Sequence, residues 1–207
     1  MLEHDRMARA DESAPDSGDE GSEDVRRRQQ MVSYLRFLAM IATGMLVMYA
    51  VSYVNTFALD HVRWSEERLF MVLLMGASMA LVMLAWMLGR YRNWRANVAI
   101  VVGAVALFGL GTLLVRSQAT VQDRSYMSSM IPHHSIAILT SERSEITDVR
   151  VCRLAVEIIE AQRREISEME WLLADIDRNG TAGTAAEAAT RPVPEFEGSS
   201  ARNCPSG

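Results

Sequence analysis

The stretch LFMVLLMGASMALVMLAWML, Leu69 to Leu88, decides the fold class: it is a run of 20 residues without one Asp, Glu, Arg or His. A helix of that length rises about 30 Å, the thickness of the hydrocarbon core of a bilayer. Two further windows have the same character, Phe37 to Phe57 and Val98 to Val115. Three such runs in a chain of 207 residues predict three transmembrane helices, with the lipid bilayer as the first expected partner. A cleaved signal peptide is the competing reading of the first window, but a long acidic stretch precedes it and no small-residue cleavage site follows.

The second run carries Met71, Met75, Met79, Met83 and Met87, a ladder that invites the idea of a thioether path through the membrane. Steps of four advance about 40° each, so the five wind through roughly 160° of helix surface and read as a packing ridge. Gly76-x-x-x-Ala80 and Ala99-x-x-x-Gly103 are the small-residue pairs that let membrane helices approach closely.

Arginine placement sets the expected orientation, since cytoplasmic flanks retain positive charge. Arg26, Arg27, Arg28 and Arg36 precede the first run, and Arg90, Arg92 and Arg95 fill the link between the second and third. The other link, DHVRWSEER, balances its charges. The N-terminus is therefore expected to be cytoplasmic and everything after Val115 extracytoplasmic. The expected organisation is a disordered acidic tail over residues 1–30, a three-helix membrane region over 31–116, a helical domain over 117–178 and a disordered tail over 179–207. A formal charge of −5 and the absence of a basic patch with interleaved aromatics argue against nucleic acid as a partner. Cys152 and Cys204 form no CxxC or metal-ligand spacing, and a disulfide between them or between chains is left open.

Beyond the last apolar run stands MSSMIPHHSIAI, Met127 to Ile138. The pattern from about Gln118 to Glu142 is helical and expected to continue from the third span without a break, bent or restarted at Pro132. Its stripe is Asp123, Met127, Met130, His134, Ala137 and Ser141. Thr147 and Asp148 offer N-caps to a second helix that ends at Asn179-Gly180. That helix has the stripe Val151, Ala155, Ile158, Gln162, Glu165, Met169, Leu172 and Ile176. A hairpin turning near Ile146 sets Met130 across from Gln162, Met127 from Glu165 and His134 from Ile158. The two polar residues then interrupt the seam opposite the methionines and need partners.

These residues carry a resemblance. YMSSMIPHHSIAILTSER followed by LAVEIIEAQRREISEMEWL resembles the CopM-like domain of unknown function 305 family, over roughly Asp123 to Asp177, and NTFALDHVRWSEERLFM is similar to its three-transmembrane-helix branch. The resemblance implies a ferritin-like helical fold and, for some members, copper binding through Met and His. Many members carry two hairpins or further Met-rich and His-rich segments, whereas this chain has one hairpin. A complete four-helix site would then need a second copy of the chain.

The donor chemistry points the same way, because thioether sulfur and imidazole nitrogen suit Cu(I). Met127, Met130 and His134 fall within roughly 60° of one another on a helix, with His133 turned about 100° away. The candidate ligands are Met127, Met130, His133 and His134. Gln162 and Glu165 are expected behind the imidazole, as metal-bound histidines usually donate their other N–H to such groups. Met169, Asp123 on the same stripe and His61 in the outer link are held as additional ligands or support. Against this, Met at heptad positions is more often core packing, and a DH pair at a span end is more often an interfacial cap.

No enzyme is expected: the Glu-x-x-His of a di-iron site is missing, and nothing activates Ser135 beside His134. The expected protein is all-α, with three transmembrane helices followed by an extracytoplasmic helical hairpin, ferritin-like and half of a four-helix bundle. It would lie in a bacterial inner membrane as a homo-oligomer, binding copper or silver and meeting copper-handling membrane partners. The alternative is a helical oligomerisation module that binds no metal.

Overall fold

The computed structural model describes residues 17–205, and among these every regular element is helical. In chain order they are α1 (Ser17–Val51), a single 3-10 turn (Leu59–His61), α2 (Glu66–Trp86), α3 (Trp94–Ser117), α4 (Asp123–Arg143), α5 (Val149–Asn179) and the short α6 (Ala185–Thr190). Three of these helices, α1, α2 and α3, are long and apolar enough to cross a membrane. The all-α expectation therefore holds, and the chain has the build of a membrane protein.

Helix α2 is the central member, packed against both α1 and α3. Its start is capped by Ser65, whose hydroxyl accepts the Arg68 N–H, with Glu66 and Glu67 in the first turn where the helix dipole favours acids. Small residues make the contacts. Gly76 is buried with Met45 of α1 where a Cβ would stand, Gly44 lies under Met79, and Gly111 of α3 lies under Leu74. Ala99 and Gly103 do not form the expected second close-packing pair: Ala99 is exposed and Gly103 faces open space. The methionine ladder turns as its 40° steps require, from the exposed Met71 and Met75 to Met79, Met83 and Met87 against the α1–α2 core.

The first span ends earlier than its apolar run. α1 stops at Val51, and residues 52–57 turn away, with Arg68 of α2 donating to the Ser52 carbonyl. Phe57, expected at the end of the membrane segment, instead packs on the core of the C-terminal hairpin. At its other end α1 reaches back to Ser17, so residues 17–30 are helical rather than the disordered tail expected of them. Glu23 and Arg27, and Asp24 and Arg28, stand at the i,i+4 spacing that supports an exposed helix. Residues 1–16 of that expected tail lie outside the described residues.

The Tyr34 hydroxyl donates to the Asn97 Oδ1 atom at 2.8 Å, joining the Arg-bearing end of α1 to the start of α3. Arg26, Arg90 and Arg92 border one cavity there. The hairpin sits at the opposite end of the layer, near the start of α2, where Thr120 donates to Glu66.

α3 and α4 are separate helices, not one. Gln118 takes a left-handed conformation (φ 51°), the chain turns, and α4 begins at Asp123. Pro132 does not interrupt α4, which runs through it to Arg143. Asp148 caps α5 as expected, accepting the Arg150 N–H at 2.8 Å, and Gly180 (φ 76°) ends it.

The C-terminal segment, expected to be a loose extension, is instead fastened to the hairpin. Arg191 donates to Asp175, Gly198 lies on the Glu160 carbonyl with no room for a Cβ, and Cys204 is disulfide-bonded to Cys152. Low apolar content hid this, because the segment is held by charge and a covalent bond more than by burial.

Candidate functional site

The hairpin core is a seam of branched and thioether side chains: Met127, Ile131 and Ile138 of α4 against Ile159, Ile166, Met169 and Leu173 of α5. Both stripes are rotated from the expected ones. Ile131, Ser135 and Ile138 turn inward where Met130, His134 and Ala137 were expected, and Ile159 and Ile166 where Ile158 and Glu165 were expected. The level is displaced as well: His134 meets Glu165, about two helical turns beyond Ile158. The extended link from Ser144 to Asp148 causes this, carrying the chain past the end of α4 so that the first turns of α5 overhang it. The C-terminal segment covers one side of the overhang. Cys152 is fastened there, and the Arg202 guanidinium donates to the Ser141, Glu142 and Ser144 carbonyls at the end of α4.

The rotation and slip divide the candidate residues among four places. Met127 is buried in the seam and, with Met169, borders an apolar cavity of about 640 Å³, with Asp123 at its edge. Met130 faces a second cavity of about 520 Å³ between α4, the α3–α4 link and Glu67, and Asp123 borders this one too. His134 and Glu165 meet on the flank of the seam, and His133 stands exposed beside them with its ring 5.9 Å from that of His134. His61 lies apart, its Nδ1 2.9 Å from the Ser135 Oγ.

The flank is the part with a chemical bias. The His134 Nδ1 is buried, lies 3.5 Å from the Glu165 Oε2 and has no closer hydrogen-bond partner. Glu165 in turn accepts from the Gln162 Nε2 at 3.3 Å. Gln162 and Glu165 thus stand behind an imidazole, and that imidazole belongs to His134. Burial pushes the His134 imidazole below its ordinary pKa; Glu165 opposes this, and His133 lowers it further. That direction favours the neutral ring at physiological pH, with Nδ1 on the side of the carboxylate. Among the described residues no three His, Cys, Asp or Glu side chains converge closely enough to hold a metal ion.

Ser135 has a role that sequence reasoning missed. It is fully buried and accepts the Phe57 N–H at 2.7 Å while bonding His61, so it pins the outer link to α4. Arg63 pairs with Glu170 at 3.0 Å, and Arg163 pairs with Glu142 at 2.5 Å while lying over the Phe57 ring. These partners lie 21 to 107 positions apart, beyond any local pattern.

Residues 114–201 match the model of a family described as a domain of unknown function, DUF305. The chain carries a DUF305 domain. The match extends well past Asp177, so the fastened C-terminal segment falls largely within the DUF305 domain. The chain is also 28% identical over 142 residues to the uncharacterized protein L153 of Acanthamoeba polyphaga mimivirus, an alignment covering 65% of this chain and 91% of that protein. Residues from 114 onward make up less than half of the 207, so this likeness reaches past the DUF305 domain into the membrane helices. No solved structure matches.

Proposed function

We propose that the DUF305 domain binds a soft monovalent cation, Cu(I) or Ag(I), on the face of α4 that bears Met130, His133 and His134. The observation that carries this reading is the His134–Glu165–Gln162 chain. A carboxylate beside one imidazole nitrogen fixes the tautomer and raises the basicity of the other, as is usual for metal-bound histidine. Met130 stands one helical turn before His134, which puts a neutral sulfur and a neutral nitrogen on one side of the helix. An ion there takes thioether sulfur, or donors from a second chain, because among the described residues no three nitrogen or carboxylate groups of one chain converge on it. Met127 and Met169 offer a pair of sulfurs around the neighbouring apolar cavity.

The domain would act outside the cytoplasm of a bacterial cell, anchored in the inner membrane, in copper homeostasis or resistance. Clustering of Arg26, Arg90 and Arg92 at the end of the layer away from the domain supports that orientation. We assign no catalytic step, since the Ser135 hydroxyl is fully buried and engaged. A second reading, a homo-oligomerisation module without metal, is favoured by the exposed Val151 and Leu154 one turn apart on the α5 overhang.

Titrating the detergent-solubilised chain with Cu(I) against a chelating competitor tests the first reading. Wild type should hold the ion at competitor concentrations that strip the Met130→Leu, His134→Ala chain; equal, weak binding by both would overturn it. Sedimentation with and without Cu(I) separates the readings: metal-dependent association means donors shared between chains, whereas association blocked only by Val151→Glu means an apolar interface.

A further inference from the structure

Residues 192–204 cross the face of the DUF305 domain next to the membrane link, and they are held in a graded way. At the near end Arg191 donates to the buried Asp175 at 2.5 Å and also bonds the Gly180 carbonyl. In the middle Gly198 lies directly on the Glu160 backbone. At the far end Arg202 spans three carbonyls at the end of α4, and the Cys152–Cys204 disulfide closes the loop. Glu197 and Ser199 of this segment form one wall of a cavity of about 310 Å³ whose other walls include His61, Arg163 and Glu170. Among the described residues both cysteines are in this bond, and Cys152 is buried while Cys204 is partly open.

We propose that this segment is a hinged strap latched by the disulfide, and that thiol reduction opens the cavity beside His61. The hinge is the Arg191–Asp175 pair, which reduction leaves intact. The latch is worked by a dithiol. Its thiolate attacks the more open Cys204 sulfur, the S–S bond breaks, and Cys152 leaves as a thiolate that takes up a proton. The second thiol of the reagent then resolves the mixed disulfide, releasing Cys204 as a thiol and the reagent as its own disulfide. Two electrons and two protons pass to the protein.

With the far end free, residues 192–204 keep the Arg202 bonds, the Gly198 contact and the partly buried Phe196, and non-covalent contacts of this kind at the edge of a domain open locally without global unfolding. The strap is independent of whether α4 binds a metal.

Diethyl pyrocarbonate labelling of the full chain in detergent, read peptide by peptide, tests the strap. Treatment with dithiothreitol should raise the rate at the partly exposed His61 severalfold while leaving the exposed His133 unchanged, and reoxidation should restore the slower rate. The Cys152→Ser, Cys204→Ser chain should label His61 at the fast rate without reductant. An unchanged His61 rate in fully reduced protein would overturn the proposal. So would a rise that accompanies loss of helical circular dichroism and is not restored by reoxidation, since that would be unfolding of the domain.

Discussion

Where the helices of the α1–α2–α3 layer approach most closely the residues are small: Gly44, Gly76, Ala77, Ala80 and Gly111. At the α4–α5 contacts they are branched: Ile131, Ile138, Ile159 and Ile166. Large apolar side chains are divided in the layer: Phe37, Val72 and Leu84 are buried beside the small residues, while others point outward, Leu46 76% and Leu113 62% exposed. The difference follows from the solvent each region meets. Lipid tails are as apolar as leucine, so a membrane helix gains nothing by hiding one and gains most from backbone approach over small residues. In water the gain lies in removing apolar surface, and bulky side chains fill the seam.

The contrast can be broken most severely at the seam. Ile159→Ala should cost about 2–5 kcal/mol of domain stability, read as a lower urea midpoint for Trp171 fluorescence in the detergent-solubilised chain. Leu46→Ala, facing lipid, should move that midpoint by no more than about 0.5 kcal/mol equivalent.

Reducing the Cys152–Cys204 disulfide, which spans 52 positions, should lower the same midpoint by about 2–4 kcal/mol equivalent. It should leave the detergent melting of the layer unaltered.

Within the layer, Gly76→Leu meets Met45 and should cost about 1–3 kcal/mol, whereas Gly103→Leu enters open space and should cost almost nothing. Thermal melts of the two chains in one detergent compare them; equal melts would remove the small-residue account of the layer.

The smallest effect is the pH dependence at His134. Its imidazole is held below the ordinary value of about 6.5, so the unfolded chain takes the proton first. Stability from this group is present above that value and falls as the pH drops through it towards the folded value. Midpoints at about pH 8 and about pH 5.5 should therefore differ more for wild type than for His134→Gln.

Much of the candidate site was legible in α4 and α5 themselves. MSSMIPHH holds the side chains proposed as donors, and Gln162 and Glu165 stand out as polar breaks in the seam. What misled was local symmetry. A turn centred near Ile146 suggests equal arms, but the extended link lets α5 overhang α4, so Glu165 met His134 and not Met127. Phe57 misled for a similar reason: at the end of an apolar run it reads as membrane, yet its N–H bonds Ser135, 78 positions away.

The sequence by itself determined that the chain is all helical, that three runs suit a bilayer, and where α5 is capped. These depend on hydrophobicity, periodicity and caps, which act within a few turns of chain. Only the tertiary structure decided which imidazole backs onto Glu165, that Ser135 pins the outer link through His61, and that the polar tail is fastened across the domain at Cys152. Those contacts join distant positions by hydrogen bonds, ion pairs and one disulfide. Such groups specify a partner only once packing has brought them within reach.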